Sequence, residues 1–514
     1  MSKLFGTTDW KAHIPIPVYD EKPQYTALYE KAWELAFAHI KDVPDMPQTP
    51  YMDEAFCETQ LWIWDTCFMS LYCKYARDVF PGVESLRNFY EVLHNGGHLA
   101  RIVPSEKEPE WTGRVLGEPY EVKIHIADNP PLFAWVEYEN ALLSGDVSHV
   151  KRLLYESQVL QKHFEWLETL REPLTPRGVF APTCWIAEAD GYRWEGGRSG
   201  MDNTPRGRIG EHAEEQRPNN PDLLWLDAVC QQALSARMIA RLFELLKDED
   251  NQNVWEERYR AKKDLVQAHY WDDEDGFYYD IEANTHRFCR VKTMASYWPL
   301  TAEIADERQA AVMASYLQDP NTFGGVVPFP SLSRDDNDFH DDGEYWRGGV
   351  WLPTAYAALK GLKEYGLLCE AREASCRLLD HMYQTYVTFE PHTIWESYAP
   401  TAPKPATVET GSGTFVRPDF CGWSALGPIA AYIEFVLGFH TINAFTKTVE
   451  WAKPSDVRGK VGIRNLRFGD VVTDIEAVGD TCVVSSNETY TLRINGTDYY
   501  VKAGIQELRL EETV

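Results

Sequence analysis

The sequence lacks the short motifs that identify several large enzyme classes. It contains no GxGxxG fingerprint of a dinucleotide-binding fold, no P-loop, no HExxH and no GxSxG. It also lacks an apolar run close to the about 20 residues that a membrane-spanning helix needs. These absences argue against nucleotide-dependent, zinc-peptidase and serine-hydrolase chemistry, and against a membrane partner.

Basic residues are few relative to acidic ones. The 514 residues include 50 Lys and Arg against 79 Asp and Glu, which gives a formal net charge of -29. Such a chain repels the phosphates of nucleic acids and of anionic lipids. We therefore expect neither class of partner, although a strongly acidic surface does not identify a substrate.

Cysteine occurs ten times, but without a CxxC pair or any spacing typical of a zinc site. The first ten residues carry no apolar run of the kind found in a secretory leader. The sequence therefore predicts reduced thiols and a cytoplasmic protein.

What the sequence does contain, up to about residue 440, is helical spacing of apolar residues. In the first such stretch, Tyr25, Leu28, Tyr29, Ala32 and Leu35 recur at intervals of three and four. Twelve segments of this kind with no βαβ rhythm predict a mainly α fold, an (α/α)6 toroidal barrel over residues 1–448. The predicted helices are 24–40, 59–77, 83–95, 131–145, 147–170, 220–247, 252–269, 292–303, 305–318, 350–365, 368–386 and 423–437.

The pattern changes near residue 448 to short runs of β-branched and aromatic residues. Asn495-Gly496 lies between the last two runs and is a strong signal for a tight hairpin. Residues 449–514 are thus predicted to form a small C-terminal antiparallel β domain, sandwich-like and packed on the barrel.

Carboxylates within aromatic, glycine-rich loops are the residues best suited to chemistry. Asp202 lies in a glycine-rich loop flanked by tryptophans, and Glu396 lies between Trp395 and Tyr398. Two carboxyl groups facing each other across a sugar suffice for glycoside hydrolysis. We interpret Asp202 as the general acid, with a pKa raised by burial, and Glu396 as the general base.

Four segments in this order resemble the inverting α-glycosidases of glycoside hydrolase family 63. The matching motifs are Trp62–Asp65, Ser199–Arg206, Tyr345–Trp351 and Trp395–Pro400, and Cys421-Gly-Trp423 resembles a late Gly-Trp motif. Within the family the chain is similar to the bacterial mannosylglycerate and glucosylglycerate hydrolases, and trehalases are more distant relatives. The resemblance covers about residues 20–440, so it does not extend to the C-terminal β domain.

The resemblance implies an (α/α)6 barrel, an acid at Asp202 and a base at Glu396. It implies further that a glucose- or mannose-type ring is held by residues of the matched motifs. The predicted substrate-binding set is Trp62, Trp64, Asp65, Arg198, Arg206, Tyr345, Trp346, Arg347, Trp351, Trp395, Tyr398 and Trp423.

The expected function is an exo-acting inverting α-glycosidase that hydrolyses a small α-glucoside or α-mannoside, such as a disaccharide, an oligosaccharide or a glycosylglycerate. This chemistry needs no cofactor. The acidic run Asp335–Asp342 lacks the spacing of a calcium loop, so no metal site is predicted. A glycoside phosphorylase, a sugar epimerase or isomerase, and an inactive sugar-binding protein remain alternatives. The glycone, the linkage, the aglycone and the oligomeric state are left open.

Overall fold

The computed structural model describes residues 4–55, 59–91, 93, 96–97, 99, 101–104, 130–169, 185–194, 196–209, 220, 222–409 and 412–511. Each of the twelve predicted helical segments contains a helix. The α-helices are Gln24–Ala38, Ile63–Cys73, Gly82–Glu91, Phe133–Ser144, Val147–Lys151, Val159–Thr169, Gly196–Ser199, Leu226–Leu245, Glu249–His269, Trp298–Thr301, Glu307–Gln318, Leu352–Glu364 and Leu368–Thr388.

Some predicted helices are irregular. Tighter 3-10 turns form Trp10–Ala12, Lys74–Ala76, Met294–Tyr297 and Ser424–Leu426, and wider π-helical turns form Arg152–Ser157 and Gly427–Val436. The segment predicted as one helix over 147–170 is therefore three pieces. Its middle piece ends at Gln158, which has a left-handed φ of 54°. Apolar spacing does not distinguish these helix types, because all of them repeat every three to four residues or so.

Six helices, here called the inner helices, pack in sequence around a closed ring. Each contacts the next, and the last contacts the first. They are buried nearly all round; in the third, 16 of 20 residues are buried. The inner helices are Ile63–Cys73, Phe133–Ser144, Leu226–Leu245, Trp298–Thr301, Leu352–Glu364 and Gly427–Val436.

The remaining long helices pack on the outside of the inner ones and are amphipathic. Glu249–His269 packs along Leu226–Leu245 and buries three of its 21 residues, namely Trp255, Tyr259 and Val266. Asp248 begins this helix by accepting a hydrogen bond from Asn251 N–H, the usual way to satisfy a free amide at a helix N-terminus.

Two sheets make up most of the β structure. A five-stranded sheet has the order Ile16–Tyr19, Val461–Phe468, Val471–Val478, Thr481–Ser486 and Gly504–Arg509. A four-stranded sheet has the order Thr441–Asn443, Thr448–Trp451, Tyr490–Ile494 and Thr497–Val501. Short two- and three-stranded ladders use Ile40–Lys41, Tyr51–Met52, Gln60–Trp62, Ile102–Pro104, Ile186–Glu188, Gly191–Arg193, Leu223–Leu224, Trp271–Asp272, Phe277–Tyr278, Asp280–Glu282 and Phe288–Cys289.

The C-terminal strands differ from the prediction in two respects. Thr448–Trp451 pairs in parallel with Tyr490–Ile494, so the module is not wholly antiparallel. Ile16–Tyr19 pairs with residues 461–464, so the N-terminal segment belongs to the same sheet. The predicted turn at Asn495-Gly496 joins two antiparallel strands, and both residues have the positive φ that such a turn needs.

The predicted division at 448/449 stays a prediction. The strand Thr448–Trp451 crosses it, and a strand of the same sheet, Thr441–Asn443, precedes it. Across the described part of the chain, no helix combines the length and apolarity needed to cross a membrane.

Four buried charges connect inner helices at one point of the ring. Lys74 Nζ lies 2.7 Å from Glu139 Oε2 and 3.0 Å from Glu434 Oε1, and Lys360 Nζ lies 2.8 Å from Glu139 Oε1 and 3.3 Å from Glu434 Oε2. We call this alternating set the charge quartet. Burial raises the pKa of Glu139, but Lys360 and Lys74 lower it further, so the net pKa falls below its ordinary value. The two lysines lower the pKa of Glu434 in the same way, and the two glutamates raise the pKa of Lys360, so these pairings favour the charged forms of all three groups.

Replacing Lys74 by Met is expected to lower the free energy of unfolding by about 3–5 kcal/mol, because it leaves two buried carboxylates short of a cation. Urea unfolding followed by circular dichroism measures the change. Lys11→Met is the control, since Lys11 and Glu34 form an exposed pair expected to contribute less than about 1 kcal/mol. Equal losses in both variants would contradict a stabilising role for the quartet.

Candidate active site

A cavity of about 210 Å³ lies where several inner helices begin. Trp64 and Asp65 are in the first turn of Ile63–Cys73, Trp351 directly precedes Leu352–Glu364, and Trp423 precedes the final helical segment. It is lined by Trp62, Trp64, Asp65, Arg101, Gly197, Gly200, Asp202, Tyr345, Trp346, Trp351, Glu396, Arg417, Phe420 and Trp423.

Gly200 allows the loop that carries Asp202 to pass against the Trp64 indole. Its φ is 89°, and a Cβ at this position would lie 3.0 Å from the ring atoms of Trp64. Any other residue would be strained and would push the loop away from the ring. The glycine therefore fixes how closely Asp202 approaches the first turn of the helix.

Asp202 lines the cavity and keeps part of its surface open to it. The side chain is accessible to solvent through the cavity, but the protein atoms around its carboxyl group still desolvate the charged form. Burial raises the pKa of Asp202 from 3.8 to about 6, Arg101 opposes the rise, and the negative charge of Glu396 adds to it. A carboxyl group in this position is partly protonated near neutral pH, as a general acid must be.

Glu396 is buried and held on several sides. Its Oε1 accepts from Arg417 Nη1 at 2.8 Å, and its Oε2 accepts from Arg417 N–H at 3.1 Å. Its backbone carbonyl accepts from Trp423 Nε1 and from Ser424 Oγ. Burial raises the pKa of Glu396, and the charge and hydrogen bonds of Arg417 limit the rise. The guanidinium thus favours the carboxylate form that a general base needs.

Asp65 is a third carboxyl group in the cavity. Burial raises its pKa to about 8, and the charge of Glu396 adds to the increase, although the backbone and two arginines oppose it. At neutral pH this group is therefore mostly protonated and can donate a hydrogen bond.

Aromatic rings form a continuous wall. Trp346 and Trp351 stack with ring centroids 4.3 Å apart and planes 7° from parallel, and Trp423 lies 5.7 Å from Trp351. Tyr345 meets Trp351 edge-on at 4.8 Å. Flat apolar faces of this kind are suited to stacking on a sugar ring.

Two arginines of the cavity were not predicted from the sequence. Arg101 directly precedes the strand Ile102–Pro104, which pairs with Gln60–Trp62, and its guanidinium lies 5.2 Å from the centre of the Trp62 ring. Arg417 follows the predicted base by 21 positions and binds it. Neither residue belongs to a recognisable motif, so no local signal in the sequence identifies them.

Arg206 does not reach the cavity, contrary to the prediction. It is buried, and its guanidinium donates paired hydrogen bonds to Asp227 and to Asp280 at 2.7–2.9 Å. It also packs over the Trp225 ring at 4.4 Å. The loop ends in an arginine because two buried carboxylates need a bidentate partner, which is a structural role.

The other predicted arginines and two aromatics also lie outside the cavity lining. Arg347 is within 3.5 Å of Glu344, and Arg198 is buried. Tyr398 is buried and its hydroxyl accepts from Trp395 N–H, while the Trp395 ring packs edge-on against Phe389. Trp395 and Tyr398 therefore support the segment that carries Glu396 rather than facing the cavity.

Metal binding has no visible site in the described residues: no group of three or more His, Cys, Asp or Glu is arranged to hold an ion. In the acidic run 335–342, Asp335 pairs with Lys292 and Asp336 with Arg208. These carboxylates neutralise nearby cations and cap turns.

Comparison with known proteins gives a family match. Residues 58–415 match the model of the mannosylglycerate hydrolase MGH1-like glycoside hydrolase domain. An uncharacterised protein of Borreliella burgdorferi is 25% identical over 396 residues, which are 76% of this chain and 74% of that protein. The mannosylglycerate hydrolase of Rubrobacter radiotolerans is 29% identical over 163 residues, 30% of this chain and 36% of that one.

Among solved structures, the fold is similar to that of the family 63 mannosylglycerate hydrolase of Thermus thermophilus in complex with glucose. The TM-score is 0.57 at 19% identity, over 78% of this chain and 99% of that one. At this identity the likeness concerns the fold alone.

Proposed function

The chain belongs to the mannosylglycerate hydrolase MGH1-like glycoside hydrolase family, and from this premise we propose that it is an exo-acting inverting α-glycosidase. The observation that carries the proposal is that Asp202 and Glu396, from separate loops, line one small cavity. Their surroundings differ as an acid and a base require, because a guanidinium binds Glu396 directly.

In the proposed reaction, Asp202 protonates the glycosidic oxygen as the bond to the leaving group breaks. Glu396 removes a proton from a water that attacks the anomeric carbon from the opposite face. Inversion requires room for that water, so the two carboxyl groups should lie about 6.5–9.5 Å apart. Protonated Asp65 would donate a hydrogen bond to a hydroxyl of the glycone, and the tryptophan wall would stack on its ring.

The cavity volume favours one sugar ring over a longer chain, which supports exo action. Arg101 lines the same cavity and its charge acts on the proposed acid Asp202, and guanidinium groups bind carboxylates well. We therefore propose an α-mannoside or α-glucoside with an anionic leaving group, of the glycosylglycerate type, ahead of a neutral disaccharide.

The three alternative functions require features that differ from those of a hydrolase. A phosphorylase would replace water with phosphate, so its activity would require phosphate. An epimerase or isomerase commonly uses histidine, and no histidine is among the described residues that line the cavity. An inactive sugar-binding protein would not need Asp202, with its raised pKa, in the same cavity as the arginine-paired Glu396.

We also propose that the fold is an (α/α)6 barrel and that the protein is cytoplasmic. The closed ring of inner helices with a second layer outside is the arrangement expected of an (α/α)6 barrel, with a β module after it. The described cysteines are all free, as expected of a protein in a reducing compartment such as the cytoplasm.

Asp202→Asn and Glu396→Gln are each expected to lower kcat/KM by about 10²–10⁴, because each removes one proton transfer. Turnover of α-mannosides and α-glucosides measures the effect, and NMR of the first product should show the β-anomer. Asp335→Asn is the control, since this carboxylate lies outside the cavity. Near-normal rates in both variants, or an α-anomer as first product, would refute the assignment.

The pH profile should fall on the alkaline side with a midpoint near pH 6, because Asp202 must be protonated and its pKa is about 6. Arg101 lowers the pKa of Asp202, so Arg101→Met should move this limb to higher pH. Arg417→Met should move the acidic limb to higher pH, because Arg417 lowers the pKa of Glu396. It should also move the alkaline limb upward, though less than Arg101→Met does, because the charge of Arg417 contributes less than that of Arg101 to lowering the pKa of Asp202. An alkaline limb unaffected by Arg101→Met would contradict Asp202 as the acid.

The charge of the leaving group is tested with α-mannosylglycerate, α-glucosylglycerate and their methyl esters. The esters keep the shape but lose the carboxylate. We expect about 10–100-fold higher kcat/KM for the acids, the equivalent of one charged hydrogen bond, and a smaller preference in Arg101→Met. Equal rates on acid and ester would exclude an anionic aglycone while leaving the glycosidase proposal intact.

A further inference from the structure

Asn203 lies next to the proposed acid but does not line the cavity. Its side-chain amide reaches across to the loop that carries Tyr345 and Trp346. Nδ2 donates to Glu344 O at 2.9 Å, and Oδ1 accepts from Trp346 N–H at 2.8 Å. The amide thus binds the backbone on both sides of Tyr345, much as a neighbouring strand would.

The backbone bound in this way is strained. Glu344 has a φ of 36° and Tyr345 a φ of 62°, and both are side-chain-bearing residues in the left-handed region. Such residues keep this conformation only where their surroundings enforce it. Other contacts also hold the segment: Tyr345 N–H donates to Thr407 O at 2.8 Å, Glu344 N–H donates to Thr407 Oγ1 at 3.3 Å, and Tyr345 O accepts from Gly349 N–H at 3.2 Å. The Asn203 amide adds the two bonds that flank Tyr345.

The strained backbone positions two aromatic side chains of the cavity wall. In this conformation the Tyr345 and Trp346 side chains both face the cavity, and Tyr345 O accepts from Trp351 Nε1 at 3.0 Å. Burial and the charge of Asp202 raise the pKa of the Tyr345 phenol well above its ordinary value, so the phenol is neutral and lies near the acid.

We propose that Asn203 is a positioning residue that joins the acid to the aromatic wall. Its two hydrogen bonds hold Tyr345 in the left-handed conformation, and because Asn203 is bonded in sequence to Asp202, they fix the acid relative to the Tyr345 phenol and the Trp346 ring. The proposal rests on the proposed glycosidase function for its kinetic consequence, but not for its structural one.

Asn203→Ala removes both hydrogen bonds and leaves the cavity lining unchanged in composition. We expect kcat to fall by up to about 100-fold, since a displacement of about 1 Å in an active site has an effect of this size, with a smaller change in KM. Asn203→Asp keeps the acceptor for Trp346 N–H but places a second acceptor oxygen against Glu344 O, which repels it, so its loss should be at least as large as that of Asn203→Ala.

Asn88→Ala is the matched control. The Asn88 amide also binds two backbone groups, accepting from Gln48 N–H at 2.8 Å and donating to Ser85 O at 3.3 Å, and it is buried away from the cavity. This variant should lose stability without losing kcat. A similar fall in kcat in both variants would reduce Asn203 to a general structural role and overturn the proposal.

A double-mutant cycle tests whether Asn203 acts through Tyr345. Tyr345→Phe should lower kcat in the native background and have little further effect in Asn203→Ala, because the phenol is already misplaced. Tyr345→Phe combined with Asn88→Ala should show independent effects. Full additivity of Asn203→Ala and Tyr345→Phe would contradict the proposal.

Crystal structures of the native protein and of Asn203→Ala give a test that does not depend on activity. We expect φ of Glu344 and Tyr345 to become negative in the variant, with the Tyr345 side chain displaced. Unchanged φ angles would overturn the proposed positioning role of Asn203 even if activity fell. Conversely, a native protein without glycosidase turnover would refute the proposed function, and the crystallographic comparison would still decide the role of Asn203.

Discussion

Lys74, Glu139, Lys360 and Glu434 pair with one another inside the ring of helices, where burying a charge without a partner is costly. Each comes from a different inner helix or from the turn that follows it, so their mutual attraction sets how those helices lie against one another. Three of these four helices begin at residues that line or adjoin the cavity. The geometry of the cavity therefore depends on charge pairing about two or three helical turns away from it.

Inside the cavity, arginines also pair with carboxyl groups, but they contact Glu396 and Asp202 to different extents. Glu396 receives two hydrogen bonds from Arg417, whereas Arg101 and Arg417 act on Asp202 through their charge. Burial raises the pKa of both carboxyl groups, and the hydrogen bonds and charge of Arg417 limit the rise at Glu396. A protein can assign opposite roles to two carboxyl groups by giving a direct cationic partner to one of them.

Much of this arrangement could be predicted from the sequence. Apolar spacing predicted the twelve helical segments, and the motif resemblance to family 63 was confirmed by the family match. Neighbours in a motif need not face the same way, however: Asp202 enters the cavity and Arg206 turns away to bind two buried carboxylates. Arg101 and Arg417 could not be predicted, because only tertiary packing brings them to the cavity. The parallel pairing of Thr448–Trp451 could not be predicted either, because apolar alternation along a strand does not depend on the direction of its partner.

The strand Ile16–Tyr19 brings the start of the described chain into the sheet formed near its end. A protease that cut the single connection between Trp451 and Val461 would therefore not release the β module. The two fragments would stay associated through the backbone ladder and through Asn465, whose amide donates to Ala12 O and Ile14 O. In size-exclusion chromatography the cut and intact proteins would elute at the same volume until a denaturant separated the fragments. We therefore expect the helical part and the β module to unfold together.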